Sequence, residues 1–214
     1  MRRTVLPALG IAALALSACS PGQPNSAVRD VAAPTSGDHA TSAPATTGTS
    51  ALAKGGIVDP SGKSIGSVEV TKGEHGLTVN VAATAMTPGF HGLHVHAVGK
   101  CEPKSADPKD PAKTGDFLSS GGHLAGGGMD HPEHAGDLPV LYVMKDGTGH
   151  LTTVTDRLTE EQLGQAGGIS FIVHAGPDNY GNIPTRYAAG GPDAETKKAG
   201  DSGARIGCAV LAKS

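Results

Sequence analysis

The sequence has few aromatic side chains and few charges. Among its 214 residues there is no Trp, only three Tyr and three Phe, and charged residues make up 17%. Glycine and proline are frequent instead, with 32 and 15 residues. This composition excludes a coiled coil or a helical repeat and favours short strands joined by long loops. After residue 18 no apolar run approaches the roughly 18 residues that span a bilayer, so no internal transmembrane helix is expected.

The N-terminus has the pattern of an export signal. Arg2 and Arg3 precede an apolar segment over residues 5–16, and the sequence Leu-Ser-Ala-Cys follows, ending at Cys19. This ending resembles the lipobox of bacterial lipoproteins. We therefore predict that residues 1–18 are a signal peptide that is removed, and that Cys19 then carries a lipid. An ordinary signal peptide that happens to contain a cysteine is the alternative.

Residues 19–50 are rich in Ser, Thr, Ala, Pro and Gly and contain scarcely any large apolar side chain. Such a segment buries too little apolar surface to offset the entropy cost of ordering its backbone, so a disordered tether is expected. The folded domain is then expected over residues 51–214, anchored to a membrane through Cys19 and located in the cell envelope, outside the cytoplasm.

The sequence is slightly acidic. Its formal charge is −3, and loss of Arg2 and Arg3 with the signal peptide would change it to −5. A surface that follows the phosphates of a nucleic acid carries the opposite sign. Nucleic acid is therefore not an expected partner.

The domain shows the alternation of apolar and polar side chains that is typical of β-strands. Eight strands are predicted, near residues 52–58, 67–71, 77–81, 93–98, 138–144, 150–155, 168–174 and 205–211. We expect an all-β fold, an eight-stranded antiparallel Greek-key sandwich or flattened barrel of the immunoglobulin-like type. Thr159 is predicted to cap one short helical turn. Two stretches without periodicity, residues 99–137 and 175–204, are expected to be functional loops.

Two cysteines remain if Cys19 carries a lipid. In an oxidising compartment, Cys101 and Cys208 are expected to form a disulfide. Two free thiols that bind metal are the alternative, which the lack of a Cys-x-x-Cys spacing disfavours.

Histidine is the residue in excess, with ten in all. His94 and His96 are two positions apart on a predicted strand, which places both side chains on one face. Five more potential ligands follow in the first long loop and at the end of another predicted strand: His123, His131, His134, Asp137 and His174. Imidazole and carboxylate groups crowded in this way indicate a metal site.

The stretches around these residues closely resemble those of the bacterial copper-zinc superoxide dismutases of the lipoprotein type. They occur in that family's order, at residues 89–96, 99–102, 119–123, 134–139, 172–179 and 204–210. Carried over by position, the resemblance implies four copper ligands: His94, His96, His123 and His174. It also implies four zinc ligands, with the imidazole of His123 shared between the metals: His123, His131, His134 and Asp137.

The resemblance assigns further roles near the metals. Asp178 would be the carboxylate that links a copper ligand to a zinc ligand, and Cys101 with Cys208 would be the family's disulfide. Arg205 would guide an anion to the copper. His91 is expected to pack within the fold rather than to bind metal.

The implied function is dismutation of superoxide to dioxygen and hydrogen peroxide, with copper and zinc as cofactors and the superoxide anion as substrate. Arg205 and His123 would act directly in this reaction. The alternative is a lipid-anchored protein of the same fold that binds copper or zinc with little turnover. The oligomeric state varies across the family, and a homodimer is one candidate.

Overall fold

The computed structural model describes residues 50–124 and 128–213. The expected signal peptide, Cys19 and the expected tether up to residue 49 lie outside these described residues. Within them, no helix is both long and apolar enough to span a membrane.

Short strands dominate the described part of the chain. The ten strands are β1 (Ala51–Val58), β2 (Ser64–Gly73), β3 (Gly76–Ala83), β4 (Gly89–His96), β5 (Ser105–Ala106), β6 (Thr114–Gly115), β7 (Asp137–Val143), β8 (Gly149–Thr155), β9 (Ile169–His174) and β10 (Arg205–Lys213). Three helical segments are only one turn long: a 3₁₀ turn (Leu118–Ser120), α1 (Glu160–Leu163) and α2 (Thr196–Ala199).

Eight of the strands form one antiparallel sheet in the order β7-β4-β9-β10-β1-β2-β3-β8. The edge strands β7 and β8 are consecutive, and Met144 N–H donates to the Thr148 carbonyl in the tight turn between them. The sheet therefore curls into a nearly closed barrel. The consecutive strands β3 and β4 are not neighbours in the sheet, and neither are β8 and β9, so the chain crosses the barrel twice. These eight strands and the all-β fold confirm the prediction from sequence.

The alternation in the sequence explains which face of each strand is buried. In β3 every second residue from Leu77 onward is buried, and the residues between them are only partly covered. Because strand side chains point alternately to the two faces, one face of β3 lines the barrel interior. Large aliphatic residues from all eight strands meet there, among them Ile57, Leu93 and Leu211.

The two long loops contain short elements that periodicity did not predict. The first holds the two-residue strands β5 and β6, which pair with each other, and the 3₁₀ turn. The second holds α2. The helical turn expected after Thr159 is present, and its capping box is complete, because Thr159 and Gln162 bond each other's backbone N–H groups.

A disulfide between Cys101 and Cys208 ties the first long loop to β10. Cys208 is fully buried and packs with Phe117 and Ile172 in a small apolar cluster outside the barrel core. Since Phe117 belongs to the loop and Ile172 to β9, the disulfide and this cluster fix the loop against the sheet.

Removing both cysteines should lower the free energy of unfolding by about 4 kcal/mol, because the bridge closes a long loop in the unfolded chain. The bridged residues are 107 positions apart. Chemical denaturation of the Cys101→Ala, Cys208→Ala protein would measure the loss. Unfolding free energies equal to those of the oxidised wild type would contradict this role.

Candidate metal centre

Strand β4 supplies two histidines on the face opposite the barrel core. Leu93 and Val95 point into the core, so His94 and His96 point the other way. Both imidazoles are nevertheless fully buried. The long loops must therefore cover this face of the sheet.

Strand β9 brings His174 to the same place. It pairs with β4 in a register that sets Ile172 opposite His94, and His174 is its last residue. The rings of His94 and His174 have centroids 4.7 Å apart.

The fourth histidine comes from the first long loop. His123 forms an isolated β-bridge with His96, and the adjacent Leu124 N–H donates to the Val95 carbonyl at 2.8 Å. The ring of His123 lies 3.8 Å from that of His94 between centroids. Four histidines thus meet, and one ring nitrogen from each lies within 4.8 Å of the others. We call them the copper set, after the metal expected there from the sequence: His94, His96, His123 and His174.

Three of these rings are oriented by an oxygen atom on their far side. The Nδ1–H groups of His96 and His174 donate to the carbonyls of Gly121 and Gly203 at 2.8 and 2.9 Å. Nε2–H of His94 donates to Asp178 Oδ2 at 2.8 Å. A neutral imidazole that donates from one nitrogen presents a lone pair on the other.

The opposite nitrogens are the ones left without a hydrogen bond. Six buried histidine nitrogens in the described residues have no such partner: His94 Nδ1, His96 Nε2, His123 Nε2, His131 Nδ1, His134 Nδ1 and His174 Nε2. Buried polar atoms nearly always have a hydrogen-bond partner. Unpartnered nitrogens grouped in this way therefore fit a set of metal ligands.

Asp137 lies close to the remaining candidate ligands. It is the first residue of β7 and pairs with His94 in the sheet. Its Oδ1 lies 2.7 Å from His123 Nδ1, and its Oδ2 lies 3.0 Å from His131 Nδ1 and 3.1 Å from His134 Nδ1. We call His123, His131, His134 and Asp137 the zinc set; three imidazole nitrogens and a carboxylate are a donor set that suits zinc.

His134 is less closely grouped than the rest of the zinc set. The second group of donor atoms within 4.8 Å of one another contains His94, His123, His131 and Asp137. His134 lies beside this group through its contact with Asp137. The structure thus brings together all seven residues that the sequence predicts as ligands, with His123 facing both sets.

Asp178 joins the two sets. Its two carboxylate oxygens accept from His94 Nε2 and His131 Nε2, both at 2.8 Å. A ligand whose second nitrogen bonds a carboxylate is held in one tautomer and one ring orientation.

The protonation preferences of these histidines differ. Burial lowers the pKa of His123 to about 4 and that of His174 to about 3, so both are neutral near pH 7. Burial also acts on His131, but the nearby carboxylates of Asp137 and Asp178 outweigh it and raise the pKa of His131 to about 9. Neutral imidazole is the form that binds a metal.

Arg205 lies next to the copper set. It is the first residue of β10 and pairs with His174 in the sheet. Its guanidinium donates to the Phe117 carbonyl at 2.7 Å, and to Ser120 Oγ and the Gly121 carbonyl at 2.8 Å. All three acceptors are neutral, and no carboxylate in the described ranges forms an ion pair with Arg205.

The other histidines of the domain lie apart from both sets. His91 is buried, with Nδ1 and Nε2 each 2.7 Å from a backbone carbonyl, those of His174 and Thr87. It packs within the fold, as expected. His75 and His150 are exposed.

Several residues that orient the ligands were not predicted. Gly121 and Gly203 act through backbone carbonyls, which leave no signal in residue type. Tyr180 contacts Asp178 and His131, and the only sequence signal for it is its position two residues after Asp178.

Comparison with known proteins identifies the family. The sequence model described as copper/zinc superoxide dismutase (SODC) matches residues 64–211. The chain belongs to the copper/zinc superoxide dismutase family. Copper and zinc are the metals of this family, and the nitrogen-rich donor sets described above fit both.

Curated relatives carry the name copper-zinc superoxide dismutase. That of Mycolicibacterium paratuberculosis is 47% identical over 142 residues, which cover 63% of this chain and 62% of the relative. That of Mycobacterium tuberculosis is 45% identical, with coverage of 63% and 59%. That of Escherichia coli K12 is 38% identical over 136 residues, with coverage of 61% and 75%. The match thus spans about three fifths of the length of the mycobacterial relatives.

Solved structures show the same barrel. The Cu/Zn superoxide dismutase of Brucella abortus superposes with a TM-score of 0.57 at 32% identity, covering 73% of this chain and 97% of that one. A superoxide dismutase-like protein of Bacillus subtilis gives a TM-score of 0.56 at 25% identity, covering 74% and 97%.

The metal-free protein should lose stability as the pH falls below 6.5. Burial lowers the pKa of all four copper-set histidines below 6.5, the ordinary value for a histidine side chain. Between pH 6.5 and about 4 the unfolded chain therefore binds protons that the folded chain excludes. The raised pKa of His131 adds to the free energy of unfolding. This contribution is complete below pH 6.5 and is lost only as the pH rises through about 9, so it does not offset the loss of stability below pH 6.5.

Urea unfolding of the chelator-treated protein at several pH values between about 6.5 and 5 would measure this effect. We expect the free energy of unfolding to decrease steadily across the series. A value that stays constant or increases towards acid would show that these histidines are not held neutral by burial.

Proposed function

We propose that this protein dismutes superoxide to dioxygen and hydrogen peroxide. The copper set (His94, His96, His123 and His174) would hold copper, and the zinc set (His123, His131, His134 and Asp137) would hold zinc. When bound, copper supplies the one-electron redox chemistry of the reaction.

One observation carries the proposal. Buried nitrogens converge without hydrogen-bond partners, while the far side of His94, His96 and His174 is fixed by an oxygen. A set of four imidazole nitrogens suits Cu(II) and also allows Cu(I), which a redox site requires. Family membership supports the same assignment.

His123 is the residue that can hold a proton for the reaction. Its Nδ1 lies beside Asp137, and its Nε2 is unpartnered among the copper-set nitrogens. Peroxide formation needs protons, so we assign Nε2 of His123 as the atom that takes up and donates one. Burial lowers the pKa of His123 to about 4, which favours donation over retention near neutral pH.

Arg205 would attract and orient the anion. No carboxylate among the described residues lies at contact distance from it, and it lies close enough to His96 and His174 to lower the pKa of each. A guanidinium also offers paired donors to an oxyanion. A protein that only stored metal would not need this cation, so Arg205 favours the enzyme over the non-catalytic alternative.

A superoxide flux assay tests the activity. Purified, metal-loaded protein should suppress the flux at substoichiometric concentration, whereas a protein that only binds metal should not. His96→Ala removes a copper ligand and should abolish turnover. Asp137→Ala should mainly lower zinc occupancy and thermal stability, which makes it the matched control. Full activity with normal copper content in the His96→Ala protein would overturn the copper assignment.

Substitutions of Arg205 test the guidance of the substrate. Arg205→Glu should lower the second-order rate constant far more than Arg205→Lys, since a charge focused in a cleft can raise an on-rate by roughly 10- to 1,000-fold. The wild-type rate should fall as salt is added, because screening weakens the attraction. Copper content, measured by atomic absorption, should be unchanged in both variants. Equal rates for them at low salt would rule out this role.

We also propose that the protein acts outside the cytoplasm, anchored by a lipid on Cys19. In this arrangement residues 1–18 are the signal peptide, residues 19–50 are the tether and residues 51–214 are the enzyme domain. The Leu-Ser-Ala-Cys sequence supports the anchor, and the disulfide supports an oxidising compartment.

The Cys19→Ser variant should move activity from the membrane fraction to the soluble fraction, with specific activity nearly unchanged. Fractionation of cells followed by assay of both fractions would measure this. A variant as membrane-bound as the wild type would disprove the lipid anchor. Sedimentation of the released protein would also decide whether it forms the candidate homodimer.

A further inference from the structure

Tyr180 is a partly exposed aromatic residue in the second long loop that the proposed reaction does not use. Its backbone has a φ of 55°, in the left-handed region that bulky side chains rarely adopt. A residue held in such a conformation costs energy, and the surrounding contacts must compensate for it. These contacts involve Asp178, His131 and strand β7.

The backbone of Tyr180 contacts Asp178. Its N–H donates to Asp178 Oδ1 at 2.7 Å, and the same oxygen accepts from His131 Nε2 at 2.8 Å. Tyr180 therefore restrains the carboxylate oxygen that orients His131.

The side chain of Tyr180 lies beside His131 and bonds the strand that carries Asp137. Its ring lies nearly parallel to the imidazole of His131, with an interplanar angle of 8° and centroids 6.4 Å apart. Its hydroxyl oxygen accepts from the Val140 N–H at 2.9 Å. Val140 belongs to β7, the strand that begins with Asp137, so the hydroxyl ties the second loop to the strand that carries a ligand.

Gly200 lies directly against the hydrogen bond between Asp178 and His131. A Cβ atom at Gly200 would overlap both Asp178 Oδ1 and His131 Nε2, so the loop backbone passes directly over this hydrogen bond. The Asp178–His131 hydrogen bond is thus covered by the backbone at Gly200, and Tyr180 contacts both of its residues.

We infer that Tyr180 is a positioning residue for zinc: it fixes Asp178 and His131 so that His131 Nδ1 faces the other zinc-set donors. This inference rests on the zinc site of the proposed function. It predicts an effect on zinc that is larger than any effect on copper, because the ring stacks on a zinc ligand and Asp178 still has Oδ2 for His94.

Zinc affinity of the purified full chain, measured by competition with a chelator, tests the inference. Tyr180→Leu loses the stacking and the hydroxyl and should weaken zinc binding by about 10-fold or more, as is usual when the partner of a ligand is lost. Tyr180→Phe keeps the ring and should lie between the wild type and Tyr180→Leu. The control is Tyr142→Leu, which removes an exposed ring that packs on Phe90 away from the site and should leave zinc affinity unchanged.

The absorption spectrum of Co(II) bound in place of zinc gives a second readout, because it reports ligand geometry. We expect altered bands in Tyr180→Leu and wild-type bands in Tyr142→Leu. If Tyr180→Leu does not fold, as judged by circular dichroism, Tyr180→Phe decides: weaker zinc binding supports the inference and wild-type affinity overturns it.

Two negative outcomes are distinguishable. Wild-type zinc affinity and cobalt bands in Tyr180→Leu would overturn the role of Tyr180 and leave the proposed function intact. Failure of the wild-type chain itself to bind zinc would overturn the zinc site and this inference together.

Discussion

The carboxylate of Asp178 is the contact on which the centre depends, since it holds one imidazole from the copper set and one from the zinc set. Its two oxygens lie 2.8 Å from His94 and His131. Hydrogen bonds from both histidines keep the pKa of Asp178 low against the opposing effect of burial, so the carboxylate stays ionised. Because a buried charge is stable only when it is well partnered, the carboxylate and the two rings fix one another. A shift of a histidine in either set therefore affects the position of a histidine in the other.

The barrel supplies this arrangement with rigid reference points. The central strands β4 and β9 carry His94, His96 and His174, and their positions are set by the packed core on the opposite face. A few contacts then hold the loops against these strands and against each other. The His96–His123 bridge fixes one part of the first loop, and the His131 N–H donates to the Lys197 carbonyl at 2.8 Å, which joins the two loops. The disulfide adds a covalent attachment near Arg205.

Sequence patterns predicted the eight barrel strands because one buried face enforces an alternation that can be read locally. They also predicted which histidines meet, through residue type and resemblance. The strands β5 and β6 were missed, since two residues cannot show a period. The Gly121 and Gly203 carbonyls and the stacking of Tyr180 on His131 depend on contacts between distant parts of the chain. Such contacts form only when the loops fold, so the type of a single residue does not predict them.

The distribution of charge near the site explains why a single arginine can matter in an acidic protein. Lys198 pairs with Glu195 at 2.6 Å and Lys197 with Asp130 at 3.5 Å, so each of these loop lysines has a carboxylate beside it. Arg205 instead bonds three neutral oxygens and keeps its full charge. Those bonds also hold the guanidinium in place, so little side-chain entropy is lost when it meets an anion. Arg205 therefore places a positive charge at the edge of the copper set, where it pairs with His174 in the sheet.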